Sequence, residues 1–308
     1  MSTSIRASLP TRHAEELADS YDGSRAVFQV LRGGWWGPEL LNLGYFSWRG
    51  WLGLPGNLSV GLDVRQRDLI LQAIQHLDVQ LGDEVLDIAS GRGGASHIIR
   101  RSTPVERVLG VDLLPEHVRI ANDLYPNIAG LSFLQGDSQD LPLDDESFDR
   151  ALCCEAAFHF PNKPLFIREA ARILRPGGRL VLIDFVWRDS QARSEGNHPL
   201  ARKVKHDWHF EDFALAEEYR SAAQSAGFRL IREVDWTNRV IRPLQELLDF
   251  CLWLSRSRWG ISILHRCRPL LRAMTDAQWK EVAQTSQAHC YVQERSQYKV
   301  FVFEKTPS

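Results

Sequence analysis

Between residues 82 and 185 the chain alternates short runs of β-branched and aliphatic residues with helix-length amphipathic stretches. The runs at 84–88, 107–111, 131–135, 149–153 and 179–185 are bounded by Gly, Pro and Asp and predict strands. Residues 94–101, 115–124 and 163–174 predict the intervening helices. Pro115 stands where a first-turn proline is tolerated, and Pro176-Gly177-Gly178 forces a stop. Strand then helix, repeated, implies a parallel sheet with right-handed crossovers, an α/β doubly wound, Rossmann-like fold. Farther along, 211–226 reads as a helix, and 228–234 and 298–303 as strands. The stretch from about 236 to 293 is too long for a loop and carries helical patterning at 244–254, 261–274 and 276–285, so it reads as a helical substrate-cap insertion. Residues 1–78 lack strand alternation and hold Trp35, Trp36, Trp48 and Trp51. They read as a helical, Trp-rich lid ahead of a domain spanning 79–308.

Composition narrows the function. Among 308 residues, 44% are hydrophobic and 25% charged, the balance of an ordinary globular protein, which excludes global disorder, collagen and coiled coil. The 37 basic and 39 acidic residues leave a net charge of −2, with no global field to hold a nucleic-acid backbone. No apolar run reaches membrane-spanning length, and the first residues lack an apolar signal core, so the expected compartment is the cytoplasm. The absence of acids from 2–12 gives a faint transit-peptide flavour, but the stretch is short and reads as a frayed tail. Five cysteines, an odd number without a C-x-x-C pair, read as reduced thiols with no zinc site.

The chemistry concentrates in the stretch from Glu84 to Ser96, a strand ending in Asp87 and followed by a turn with Gly91, Gly93 and Gly94. Ligands of open α/β sheets bind at such carboxyl ends of strands, and glycine lets backbone approach them closely. Asp112 closes the next strand, where a carboxylate can accept both hydroxyls of a ribose. Gly136-Asp137-Ser138 closes the one after, where an adenine amino group would be hydrogen-bonded. A nicotinamide dinucleotide is the rival ligand. It fits worse, because the glycine turn lacks the third spaced glycine and Asp87 would repel a pyrophosphate. The same carboxylate suits a ligand with an ammonium group and no phosphate, such as S-adenosylmethionine (SAM).

On Asp87, the glycine turn, Asp112, Asp137 and the Leu174-Arg-Pro-Gly-Gly178 break, the sequence resembles the class I SAM-dependent methyltransferases, in particular the ubiquinone/menaquinone and natural-product enzymes. The resemblance is close over about 60–235. It implies a seven-stranded sheet whose last strand, 298–303, runs antiparallel. It further implies that Asp87, Ala89, Gly91 and Gly93 lie near the methionine part of SAM, Asp112 on the ribose, Leu113 beside the adenine, Asp137 and Ser138 at the adenine edge, and Cys154 in the same site. Asn42-Leu-Gly-Tyr45-Phe46 resembles the N-terminal Gly-Tyr-Trp element of these enzymes, with Tyr45 over the methionine carboxylate. The segment from Cys154 to Asn162 resembles a Glu-x-x-x-His-x-Pro element. That gives His159 as general base with Asp184 as its helper, and Phe158 where a second His often stands.

Each assignment has a plainer account beside it. Asp87 also suits a cap for the following helix, His159 a packed pocket residue, Asp184 a plain strand end, and Cys153 and Cys154 buried strand positions. Arg256, Arg258, Arg266, Arg268 and Arg272, with no acid between 255 and 272, suit a solvated face. They equally suit contact with an anionic carrier, a diphosphate or a membrane surface, the last as peripheral contact through 247–272 without insertion. The expected function is methyl transfer from SAM to a bulky, largely apolar small molecule, with oxygen as acceptor. Carbon methylation of a prenyl or quinone substrate, or a cyclase or binding protein on a SAM fold, are the alternatives.

Overall fold

The structure is a computed structural model that describes residues 40–46, 62–267 and 269–307. The tryptophans at 35, 36, 48 and 51, and with them most of the expected lid, lie outside the described residues.

Helix α1 (Leu62–Leu77) precedes strand β1 (Glu84–Ile88). Next come α2 (Gly94–Ser102), β2 (Arg107–Asp112), α3 (Pro115–Leu124), β3 (Leu131–Gln135) and β4 (Phe148–Cys154). A single 3-10 turn, Ala157–His159, leads to α4 (Lys163–Ile173) and the long β5 (Leu174–Trp187). Two short helices follow, α5 (Ser190–Ser194) and α6 (Pro199–Asp207), then β6 (Ala214–Leu215), α7 (Ala216–Ser225) and β7 (Phe228–Asp235). The expected insertion is helical: α8 (Thr237–Ser255), α9 (Arg258–Cys267) and α10 (Asp276–Gln293) separate β7 from the last strand, β8 (Ser296–Lys305).

The sheet runs β3-β2-β1-β4-β5-β8-β7, with β6 paired to the end of β5. The strands from β3 through β5 are parallel, and β8 lies antiparallel between β5 and β7. This is the expected sheet, and its strand order reverses direction between β1 and β4. Successive side chains of a strand point to opposite faces, so Leu180 and Leu182 pack into one core layer with Phe166 and Ile167 of α4. Val181 and Ile183 enter the other, with Leu69 and Ile70 of α1 and Val240 of α8.

Boundaries differ from the expectation where local signals mislead. Pro243 lies inside α8, which starts seven residues before the pattern at 244 suggested, because its first turns pack Val240 and Ile241 into the sheet core. The expected helix at 211–226 begins only at Ala216, since Ala214 and Leu215 extend the pairing of β5. The short helices α5 and α6 were not expected from the sequence. Asp189 caps α5 through the Ala192 N–H, and Pro199 opens α6.

Candidate functional site

A cavity of about 360 Å³ opens at the carboxyl ends of β1, β2 and β4, beside the point where the strand order reverses. Of the residues singled out in the sequence, Asp87, Ala89, Gly91, Asp112, Leu113, Asp137, Ser138, Cys154 and His159 line it. The turn after β1 is held in left-handed backbone at Ala89 (φ 57°), Gly91 (φ 56°) and Gly93 (φ 81°). Gly93 itself lies behind the wall: a Cβ there would sit 2.6 Å from Phe133 Cζ, so only glycine lets α2 begin where it does.

Asp87 is 2% exposed, and its Oδ2 accepts the Ser96 hydroxyl at 2.6 Å. The Ser96 backbone N–H bonds it as well, so the carboxylate satisfies the first turn of α2 and faces the cavity at once. Burial raises its pKa to about 7, Ser96 works against the shift, and Asp112 adds repulsion. Asp112 is fixed by three neighbours. Gly91 N–H donates to Oδ2 at 2.8 Å, Leu114 N–H to Oδ1 at 3.0 Å, and His117 Nδ1 lies 3.2 Å from Oδ1. Asp137 is tied into its own turn by the Gln139 N–H at 2.9 Å.

His159 ends the 3-10 turn after β4 and is 6% exposed. Its ring packs on Phe158 with centroids 4.0 Å apart. Lys163 Nζ donates to the carbonyls of Phe160 at 3.2 Å, Asp212 at 3.1 Å and Phe158 at 3.5 Å, clamping the backbone on both sides of His159. Asp184 is fully buried, and its Oδ2 accepts the Tyr219 hydroxyl at 2.5 Å. Burial raises Asp184 to about 7, opposed by Tyr219, Lys163 and the backbone N–H groups of Phe185 and Phe158. It therefore backs the His159 turn through Phe158 and lines neither the main cavity nor the smaller one beside it.

Tyr45 also departs from its expected place. It packs edge-on against Trp236 with centroids 5.1 Å apart and lines neither cavity. Leu40, Leu41 and Asn42, just before it, reach the main cavity instead. Burial drives the Cys154 thiol well above its ordinary pKa and keeps it neutral.

Sequence reasoning gave no role to Glu155, the acid of the Glu-x-x-x-His-x-Pro resemblance, yet this residue and Leu41 line both cavities. Glu155 follows β4 in left-handed backbone (φ 54°), and its carboxyl accepts the Leu43 N–H at 3.0 and 3.1 Å and the Tyr298 hydroxyl at 2.5 Å. Burial raises it to about 7, while those donors work against the shift. The available signal was its position, one residue past the strand that abuts β1. Such strained backbone gathers at functional sites.

The second cavity, about 100 Å³, is walled by Phe158, Phe185, Trp208, Phe210, Phe213, Leu244 and Leu248. Its polar members besides Glu155 are His289, Gln293 and Ser296. Trp208 Nε1–H donates to His289 Nε2 at 2.9 Å, which fixes the imidazole proton on Nδ1. Ser296 Oγ is buried and has no hydrogen-bond partner.

Comparison with known proteins adds the following. A methyltransferase-domain family matches residues 86–182. The erythromycin 3''-O-methyltransferase of Saccharopolyspora erythraea is 30% identical over 263 residues, covering 82% of this chain and 78% of that protein. A fatty-acid O-methyltransferase of Mycolicibacterium smegmatis is 35% identical over 133 residues, 43% of this chain and 48% of that protein. Among solved structures, the geranyl diphosphate C-methyltransferase of Streptomyces coelicolor A3(2) superposes with a TM-score of 0.68 at 18% identity, covering 97% of this chain and 100% of that one. The cyclase SpnF superposes at 0.69 and 19%, covering 98% and 100%. These two likenesses concern the fold.

Proposed function

Because the chain belongs to the class I SAM-dependent methyltransferases, enzymes that methylate small molecules with SAM, we propose that it methylates an oxygen of a bulky, largely apolar molecule such as a polyketide, terpenoid or related secondary metabolite. The observation that carries this reading is the position of His159: the residue lines the main cavity, and the Phe158 ring packed against it lines the aromatic one.

The main cavity suits the cofactor. Among the described residues its wall presents the carboxylates of Asp87, Asp112 and Asp137 and no Lys or Arg, a set of acceptors for an ammonium group and ribose hydroxyls rather than for phosphate. Bound SAM supplies an electrophilic methyl on a sulfonium. Asp87 would hold its ammonium, Asp112 the ribose hydroxyls, and Leu113, Asp137 and Ser138 the adenine. His159 takes the acceptor's hydroxyl proton as the oxygen becomes nucleophilic, a contribution of roughly 10²–10⁴-fold. Lys163 and Asp184 position the turn that carries it. The aromatic cavity excludes water and holds the apolar body of the acceptor, with Ser296 Oγ offering a hydrogen bond to an acceptor oxygen. The resemblance to an antibiotic O-methyltransferase over most of both chains supports the oxygen assignment.

Carbon methylation is the second reading, favoured by Glu155, a buried carboxyl that reaches both cavities. Mass-spectrometric detection of a labelled methyl group on hydroxylated polyketide and terpenoid acceptors tests the function. Alkali-stable carbon methylation would favour the second reading. Calorimetric binding of NAD with none of SAM would overturn both.

A further inference from the structure

Helix α8 has two faces. Leu244 and Leu248 enter the aromatic cavity, while Phe250 (41% exposed) and Trp253 (57%) point outward with their rings stacked, centroids 5.9 Å apart. Trp259, in the first turn of α9, is 68% exposed. Among the described residues, the large exposed aromatic side chains all fall between 250 and 259. Exposed arginines lie close to them in the chain: Arg256 and Arg258 come just before Trp259, and Arg266 and Arg272 follow. No acid occurs from 255 to 272, although the whole chain carries a net charge of −2, so this cationic patch is local. Glu246 opens the outer stripe of α8, one turn before Phe250. Asp249 turns toward α10, accepting from Gln245 at 2.9 Å and Ser286 at 3.3 Å.

We propose that this face docks peripherally on an anionic lipid bilayer. Tryptophan settles at headgroup depth with its indole N–H toward water, and phenylalanine beside it enters the edge of the apolar tails. Guanidinium groups beside them pair with lipid phosphates, and each such cation contributes about a fivefold gain in partitioning. The contact is peripheral, since no described helix is long and apolar enough to cross a membrane. With the methyl-transfer reading, it places the helix that walls the acceptor cavity against the phase in which an apolar acceptor dissolves. The docking itself does not depend on that reading, and its test needs no acceptor.

The full chain is sedimented with vesicles of phosphatidylcholine and with vesicles containing about 30% phosphatidylglycerol, a headgroup charge sufficient to attract basic segments. The expected result is partitioning to the anionic vesicles about tenfold or more above the neutral ones, weakened by high salt. Arg256→Gln with Arg258→Gln should lose about fivefold per arginine, and Trp253→Ala with Trp259→Ala should also release the protein. Unchanged circular dichroism and SAM binding show that these variants remain folded. Absence of the folded wild type from the anionic pellet, equal binding to both vesicles, or undiminished binding by the variants would overturn the proposal. So would a dimer in light scattering that the tryptophan pair dissolves, which assigns the face to a second copy.

Discussion

If His159 accepts the proton of a neutral hydroxyl, His159→Ala lowers kcat by about 10²-fold or more with little change in SAM affinity, because the lost interaction belongs to the transition state. In the wild type, single-turnover rates should fall on acidification as the imidazole takes up a proton. Near-normal turnover of the alanine variant, with chemistry rate-limiting, would return His159 to a packing role and move a carbon acceptor forward. At Glu155 the measurement is stability. Asp87, Glu155 and Asp184 each sit at about 7 in the folded chain, above the value of about 4 for carboxyls in an unfolded one. Through these three groups the folded state holds more protons than the unfolded state between about pH 4 and 7, so they lower stability as pH rises through that window, while His76, whose pKa burial lowers, works against them. The contribution is complete below the unfolded values and lost above the folded ones. The melting temperature of the cofactor-free protein should fall from about pH 5.5 to 8, and Glu155→Gln, which cannot ionise, should flatten part of that slope. An identical slope in the variant would place the titration elsewhere.

At the scale of elements, the 3-10 turn after β4 is too short to hold His159 by its own hydrogen bonds. Lys163, at the start of α4, supplies what is missing by clamping the carbonyls of Phe158 and Phe160. Lys163→Met keeps the aliphatic stem and removes the donors. It should lower kcat by about tenfold, since small misplacements of a reacting group carry large rate costs, with SAM affinity unchanged. A parallel loss of SAM affinity would show that the clamp shapes the cofactor cavity instead. On the other side of the site, Asp112 joins the end of β2 to the turn after β1 through Gly91. Asp112→Ala should weaken SAM binding by about 1.5–3 kcal/mol through loss of a charge-assisted ribose contact, as calorimetry would measure. An unchanged Kd in a folded variant would remove the ribose assignment.

For the whole molecule, the two cavities meet at Leu41 and Glu155, residues drawn from distant parts of the chain. Among the described residues, no group of three or more His, Cys, Asp or Glu side chains is arranged to hold a metal ion. Methyl transfer should accordingly persist in EDTA. Activity abolished by the chelator and restored by magnesium would point to a metal-bound diphosphate acceptor.

The sequence by itself determined the parallel strands, their order of appearance and most of the wall of the main cavity. Those features are local: a strand's apolar run and the polar residue ending it are adjacent in the chain, and sheet topology brings all such ends to one edge. Asp87, Asp112, Asp137 and His159 were therefore legible. Tyr45 was not, because whether a ring faces a ligand or Trp236 depends on how residues 40–46 lie across α1 and α8. Asp184 was expected at a strand end but lies inside β5, which continues to Trp187, and its Tyr219 partner comes from α7, 35 residues away. Only the tertiary structure decided that Glu155 would be desolvated between two cavities, tied to Leu43 on one side and Tyr298 on the other. It also decided that α6, α8, α10 and the start of β8 would close an aromatic cavity. Burial and shared hydrogen bonds between remote segments are properties of packing, and no periodicity or motif along the chain encodes them.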